Sequence, residues 1–185
     1  MEKKLIFIHG YTASSQVDWY PNISKELDKL GIDYSIPDLP GGEHPHSNEW
    51  LGMIDREVKL ATKPIVLIGH SLGTRAVLLY LDKFEQKVDA VILIAAFNND
   101  HKNNQKRIGR NYSDFFKYAL GLEKVKKLAY KFIVMHSQDD TAIDYQQGVD
   151  ISRELDAKLL TYKNRDHFSA PENYTYILEV IKSVL

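Results

Sequence analysis

Short apolar runs rich in β-branched residues alternate along the chain with stretches in which apolar residues recur every three or four positions. The first pattern belongs to strands buried on both faces, the second to helices packed on a sheet. Six strands are predicted, over residues 5–8, 33–36, 65–68, 90–95, 132–136 and 158–162. Helices are predicted over 23–30, closed by Gly31; over 48–60, with Ser47 placed to cap; and over 71–84, 145–155 and 171–185. Pro171 suits a first helical turn. The alternation predicts a three-layer α/β sandwich, a mostly parallel six-stranded sheet with helices on both faces. With no repeat, low-complexity tract or Pro/Gly/Ser-rich linker, residues 1–185 are expected to form a single domain.

One connection breaks the rhythm. Residues 97–129 are too long for an ordinary crossover, whose loops run to about 2–6 residues around one helix. The run Asn98-Asn99-Asp100-His101-Lys102-Asn103-Asn104-Gln105 is too polar to pack, while Tyr112, Phe115, Phe116, Ala119 and Leu120 keep helical spacing after Ser113 or another cap. A polar loop followed by one or two short helices is expected. It leaves the C-terminal end of the fourth strand, where open α/β sheets bind ligands, so it is either a rim or lid of the site or a surface excursion.

Composition narrows the chemistry. The chain has no cysteine, which excludes a disulfide framework, a thiol nucleophile and a thiolate zinc site. The opening apolar run stops after four residues at His9-Gly10, too short for a signal-peptide core, and no stretch approaches the roughly 18 apolar residues of a membrane span. A cytoplasmic protein with no membrane partner is therefore expected. A net charge of -1 gives no reason to expect nucleic acid as a partner. Between His101 and Lys131 nine basic residues stand against two acids, either a recruiting patch or solvated helix faces. Glu43, His44 and His46 form a weak metal-ligand pattern, with proline between the histidines and no fourth ligand nearby; neither a metal nor any other cofactor is expected. Trp19, Trp50, Phe97 and Phe116 are candidates for an apolar pocket wall or, more commonly, for the core.

The sharpest signal is Gly69-His70-Ser71-Leu72-Gly73, a G-x-S-x-G run between a predicted strand and a predicted helix. A serine on so tight a turn needs flanking positions without bulk, and it presents its hydroxyl as a nucleophile. A hydroxyl is a weak nucleophile until a base takes its proton. In sheets of this kind the chain order is serine, acid, histidine, and of seven histidines only His167 follows the acids that end the fifth strand. Asp139 and Asp140 are both candidates for that acid. Asp140 is preferred because Ile143 completes an Asp-x-x-Ile pattern with it, and Asp166 ranks third. Backbone N–H groups for a developing oxyanion are expected from Leu72, directly after the serine, and from Tyr11 in the loop after the first strand. Gly10 is either part of that loop's motif or a plain turn residue.

His9-Gly10-Tyr11-Thr12-Ala13-Ser14, Trp19, Asp38-Leu39-Pro40, the serine motif, Asp139-Asp140 and His167-Phe168 together resemble the small serine-hydrolase family that includes retinoblastoma-binding protein 9 and bacterial YdeN-like proteins. The resemblance spans nearly the full length. It implies a minimal α/β-hydrolase fold with strand order 2-1-3-4-5-6, a Ser71-Asp140-His167 triad, Tyr11 and Leu72 as oxyanion donors, and esterase-like activity on a small-molecule ester. Amide and thioester cleavage use the same parts, and an idle triad on a protein-binding module is the alternative from another class. One departure is Ala142-Ile143-Asp144, where the family more often carries a proline after the branched residue.

Overall fold

The computed structural model describes residues 2–98 and 111–185. Its sheet is wholly parallel, in the order β2-β1-β3-β4-β5-β6. The strands are β1 (Lys4–Ile8), β2 (Asp33–Ser35), β3 (Ile65–His70), β4 (Val88–Ile94), β5 (Ala129–Ser137) and β6 (Lys158–Tyr162). The helices are α1 (Tyr20–Lys29), α2 (Ser47–Leu60), α3 (Leu72–Phe84), α4 (Leu122–Val125), α5 (Tyr145–Glu154) and α6 (Tyr174–Lys182).

Alternation along each strand divides the core in two. Ile6, Ile8, Leu67, Val91, Leu93 and Val134 face the layer of α2, α3 and α5, while Leu5, Phe7, Val66, Ile68, Ile92 and Met135 face α1 and α6. The central strands β1, β3 and β4 are buried almost throughout, and apart from Lys4, Asp89 and the buried His70 their side chains are apolar or small. Reversal of strand order at β1 and β3, with Ile8 opposite Gly69, brings the loop after β1 beside the turn after β3. A ligand crevice opens at such a switch point.

Several boundaries differ from the hydrophobic pattern for local reasons. Helix α1 starts three residues before Ile23, because Pro21 takes a first-turn position where its missing N–H costs nothing and Tyr20 extends the buried stripe of Ile23 and Leu27. Ser47 is inside α2 and does not cap it: the cap position is His46, and the Ser47 N–H is taken by the Asp114 carboxylate at 2.7 Å. Ser71 precedes α3 and is not part of it. Pro171 opens a 3-10 turn, Pro171–Asn173, ahead of α6. In the connection after β4, residues 99–110 of the expected polar loop lie outside the described residues. Beyond them, Ser113–Phe116 is a 3-10 turn and α4 a single helical turn, so Ala119 and Leu120 form a link and not a helix.

Arg75 of α3 ties this connection down. Its guanidinium donates to the carbonyls of Phe115 (2.8 Å) and Tyr118 (2.7 Å) and to Asn98 Oδ1, and lies 4.9 Å from the centre of the Phe116 ring. Burial lowers its pKa to about 10, with the charge of Asp82 opposing the shift. Carbonyl acceptors replace water around a cation that is 1 % exposed. Trp19, Trp50 and Phe97 lie in the core, and only Phe116, stacked on Phe97 at 5.4 Å, is partly exposed.

Candidate active site

Two glycines set the turn between β3 and α3. A Cβ at Gly73 would overlap the Ile8 carbonyl and lie 2.7 Å from that of His9, so its absence lets α3 press against β1. A Cβ at Gly69 would stand 2.8 Å from the carbonyl of Gly73. Between them Ser71 has φ 53° and ψ −122°, a left-handed conformation that costs an ordinary residue about 1–3 kcal/mol. The turn is held from both sides. The Ser71 N–H donates to the Ile94 carbonyl at 2.9 Å, and the Ser71 carbonyl accepts from the Thr74 hydroxyl at 2.6 Å and the Thr74 N–H at 2.9 Å.

From the loop after β6, His167 brings Nε2 to 2.8 Å from Ser71 Oγ. Its Nδ1 lies 3.0 Å from Oδ2 and 3.2 Å from Oδ1 of Asp140, from the loop after β5. With a carboxylate at Nδ1, that nitrogen carries the proton and Nε2 is left to accept the one from Ser71. The three side chains, separated by 96 and 27 positions along the chain, form one hydrogen-bonded line.

The neighbouring aspartates divide differently. The Asp139 side chain is exposed and accepts the Ser137 hydroxyl. Asp166 accepts both the N–H and the hydroxyl of Thr141 at 2.8 Å, tying the loop that carries His167 to the one that carries Asp140. The Asp140 side chain is fully buried, and its Oδ1 accepts the N–H groups of Ala142 and Ile143 at 2.8 Å each. Burial resists its ionisation. Hydrogen bonds from His136, His167 and the Ile143 N–H, with the charge of His167, outweigh that and hold the carboxyl well below its ordinary range.

The expected oxyanion donors lie on the two segments that flank Ser71. Leu72 is the first residue of α3, so its N–H has no acceptor within the helix. A Cβ on Gly10 would be 3.2 Å from Ser71 Cβ and 3.7 Å from its Oγ, which brings the chain at Tyr11 alongside the nucleophile turn. The Tyr11 ring is held away by its hydroxyl, donated to the Glu43 carbonyl at 2.8 Å, and by an edge contact with Tyr112 at 5.1 Å. His9 staples this loop: Nδ1 donates to the Gly10 carbonyl at 2.8 Å, and Nε2 accepts the Leu39 N–H at 2.9 Å. Burial lowers its pKa, against the opposing effects of that carbonyl and of Asp38, so the imidazole stays neutral.

Three contributors escape a reading of the motifs alone. His70, inside the serine motif, donates Nε2–H to the carbonyl of His167 at 2.8 Å and so fixes the backbone of the loop opposite. Burial first, then the neighbouring charge of His167, brings its pKa down to about 3. Asp18 is half-buried at φ 54°, its pKa raised by burial against the opposing charge of the neighbouring His167. His136 reaches Asp140 from β5. The only hint of these in sequence is an ionisable residue inside an apolar strand or beside a tryptophan. Around Glu43, His44 and His46, the histidines are exposed, and among the described residues no group of three or more His, Asp or Glu side chains is arranged to hold a metal ion.

The chain is 26 % identical over 187 residues to YdeN of Bacillus subtilis (strain 168), covering 100 % of this chain and 95 % of YdeN. It is 28 % identical over 168 residues to serine hydrolase RBBP9 of Rattus norvegicus, covering 90 % of this chain and 86 % of that protein. The crystal structure of the B. subtilis ydeN gene product superposes with a TM-score of 0.84 at 24 % identity, over 100 % of this chain and 98 % of that one. Its fold is thus the α/β-hydrolase fold, and residues 5–184 match the sequence model of the family described as serine hydrolase, to which this chain belongs.

Proposed function

We propose that this serine hydrolase is a carboxylesterase for small esters, working through a Ser71–His167–Asp140 triad and an acyl-enzyme. Ser71 Oγ attacks the ester carbonyl as its proton passes to His167 Nε2, and Asp140 holds the imidazole with Nδ1–H toward its carboxylate. The tetrahedral oxyanion rests on the N–H groups of Leu72 and Tyr11, each donor worth about 3 kcal/mol of barrier. Collapse breaks the bond to the leaving oxygen, which departs as an alcohol with the proton from His167. Water then loses a proton to the same nitrogen as it attacks the acyl-Ser71 carbonyl, and the bond to Ser71 Oγ breaks as that oxygen takes the proton back from His167, which frees the carboxylic acid and restores the serine.

The observation that supports this reading is the 2.8 Å approach of His167 Nε2 to Ser71 Oγ, with Asp140 on the opposite nitrogen at 3.0 Å. A depressed carboxyl pKa at Asp140 fits the same role, since an ionised acid stabilises the imidazolium that forms during attack. Residues 111–120, anchored by Arg75 and meeting the Tyr11 ring through Tyr112, belong to the rim of this site in the same reading.

The test is turnover of p-nitrophenyl acetate and longer p-nitrophenyl esters by the wild type and Ser71→Ala, with labelling by a fluorophosphonate probe. Loss of both turnover and label in the variant is expected. Unchanged ester turnover in Ser71→Ala overturns the proposal, and a folded wild-type protein that takes no label points to a binding module with an idle triad. Preferential turnover of matched thioesters or amides reassigns the bond that is cut.

A further inference from the structure

We propose that His136 is a positioning residue for Asp140, its Nε2–H holding the carboxylate in the orientation that engages His167. The inference rests on the triad reading above. His136 lies on β5, four positions before Asp140, and is fully buried. Its Nε2 stands 3.3 Å from Asp140 Oδ2 and 3.3 Å from the Ile143 carbonyl. Both neighbours are acceptors, so a bare Nε2 would put three lone pairs together in a buried place, and the nitrogen must carry a proton. Oδ2 of Asp140 then sits between two imidazoles, with His167 Nδ1–H at 3.0 Å, while Oδ1 faces the N–H groups of Ala142 and Ile143. Donors on both oxygens leave the carboxylate one rotamer.

A second feature was built around the same ring. Gly148 lies inside α5, where glycine costs about 1 kcal/mol relative to alanine. A Cβ there would overlap His136 Nδ1 and stand 2.9 Å from its Cγ. The helix thus lacks a side chain at the point where the imidazole packs, and the Tyr145 ring closes the space edge-on at 5.8 Å and 87°. The ionisable groups that face His136 are Asp140, with His167 beyond it, and the Tyr145 phenol from α5. Burial opposes the negative charge on Asp140, and the hydrogen bond from His136 comes first among the interactions that overcome it.

A space-filling role and a positioning role separate in kinetics. His136→Leu keeps the volume and removes the N–H; His136→Gln returns an N–H at the reach of Nε2. With p-nitrophenyl acetate, His136→Leu is expected to lower kcat by about ten- to a hundredfold, the scale on which partners of a fixed active-site ligand act. KM stays within about twofold, and His136→Gln recovers most of the loss. Wild-type kcat in His136→Leu, or equal damage in both variants, overturns the inference. If His136→Leu does not fold, the tautomer decides: long-range proton–nitrogen spectra of the wild-type protein at pH 7 should show His136 protonated at Nε2, and a bare Nε2 overturns it. That spectrum needs no turnover, so it separates failure here from failure of the triad reading, which Ser71→Ala tests.

Discussion

Changing Asp140 to asparagine is a one-atom perturbation whose outcome the surrounding geometry dictates. The amide must choose which side its nitrogen takes. Its oxygen has to remain at the Oδ1 position, where the N–H groups of Ala142 and Ile143 both point at 2.8 Å; turning the nitrogen toward them sacrifices two buried hydrogen bonds at about 1–3 kcal/mol each. The backbone N–H groups cannot adapt, whereas on the other side His136 can keep its Nε2–H on the Ile143 carbonyl at 3.3 Å and His167 can change tautomer, so the NH2 occupies the Oδ2 position, 3.0 Å from His167 Nδ1. His167 can meet a donor there only by moving its own proton to Nε2, the nitrogen 2.8 Å from Ser71 Oγ. The base then presents a proton to the nucleophile it should deprotonate. The same change of tautomer in a Ser-His-Asp protease lowers kcat about 10⁴-fold, which at 1.36 kcal/mol per decade is about 5 kcal/mol of barrier. The assay is kcat for p-nitrophenyl acetate, with circular dichroism to verify the fold. Asp139→Asn is the control, expected within twofold of wild type because that exposed carboxylate is held by the Ser137 hydroxyl and by backbone N–H groups at Arg165 and Asp166, and none of the hydrogen bonds described joins it to a triad side chain. An Asp140→Asn enzyme that keeps more than about a tenth of its kcat, or an Asp139→Asn enzyme equally impaired, refutes the reasoning.

Gly73→Ala forces a methyl group against the Ile8 and His9 carbonyls, both backbone and unable to rotate away, and should destabilise the protein by roughly 3 kcal/mol. Urea unfolding measures this, and a wild-type midpoint would remove the steric account of the glycine. His70 makes stability depend on pH in a defined direction: its folded pKa, about 3, lies below the unfolded 6.5, so between those values the unfolded chain binds a proton that the folded one refuses. Stability falls on acidification through that window, by up to roughly 1.4 kcal/mol per unit from this group, and His9 adds in the same sense. His70→Gln, which keeps an N–H for the His167 carbonyl, should flatten the slope of unfolding free energy between pH 4 and 7; identical slopes would contradict the assignment.

Much of this protein is determined by local physics and therefore readable along the chain. Runs such as Ile65-Val66-Leu67-Ile68 can only be buried strands, and glycines on either side of Ser71 mark a turn too tight for side chains. A parallel sheet follows from alternating strands and helices, while the order of its strands is what the family resemblance implies. Local signals also failed where a tertiary partner competed. Ser47 has the chemistry of a cap, yet its N–H is claimed by Asp114 from 67 positions away. The helical spacing of Tyr112 to Leu120 is broken because Arg75 draws the Phe115 and Tyr118 carbonyls inward, out of a helical ladder.

At the site the division is the same. Residue order and the ends of strands single out Ser71 and His167 and narrow the acid to adjacent aspartates, because those constraints act along the backbone. Which aspartate turns inward depends on where two N–H groups and two imidazoles, brought together from β5 and the loop after β6, leave room for a negative charge. The partners of His70 and His136 are likewise invisible in one dimension, since a hydrogen bond is fixed by distance and direction between segments that the chain itself keeps far apart.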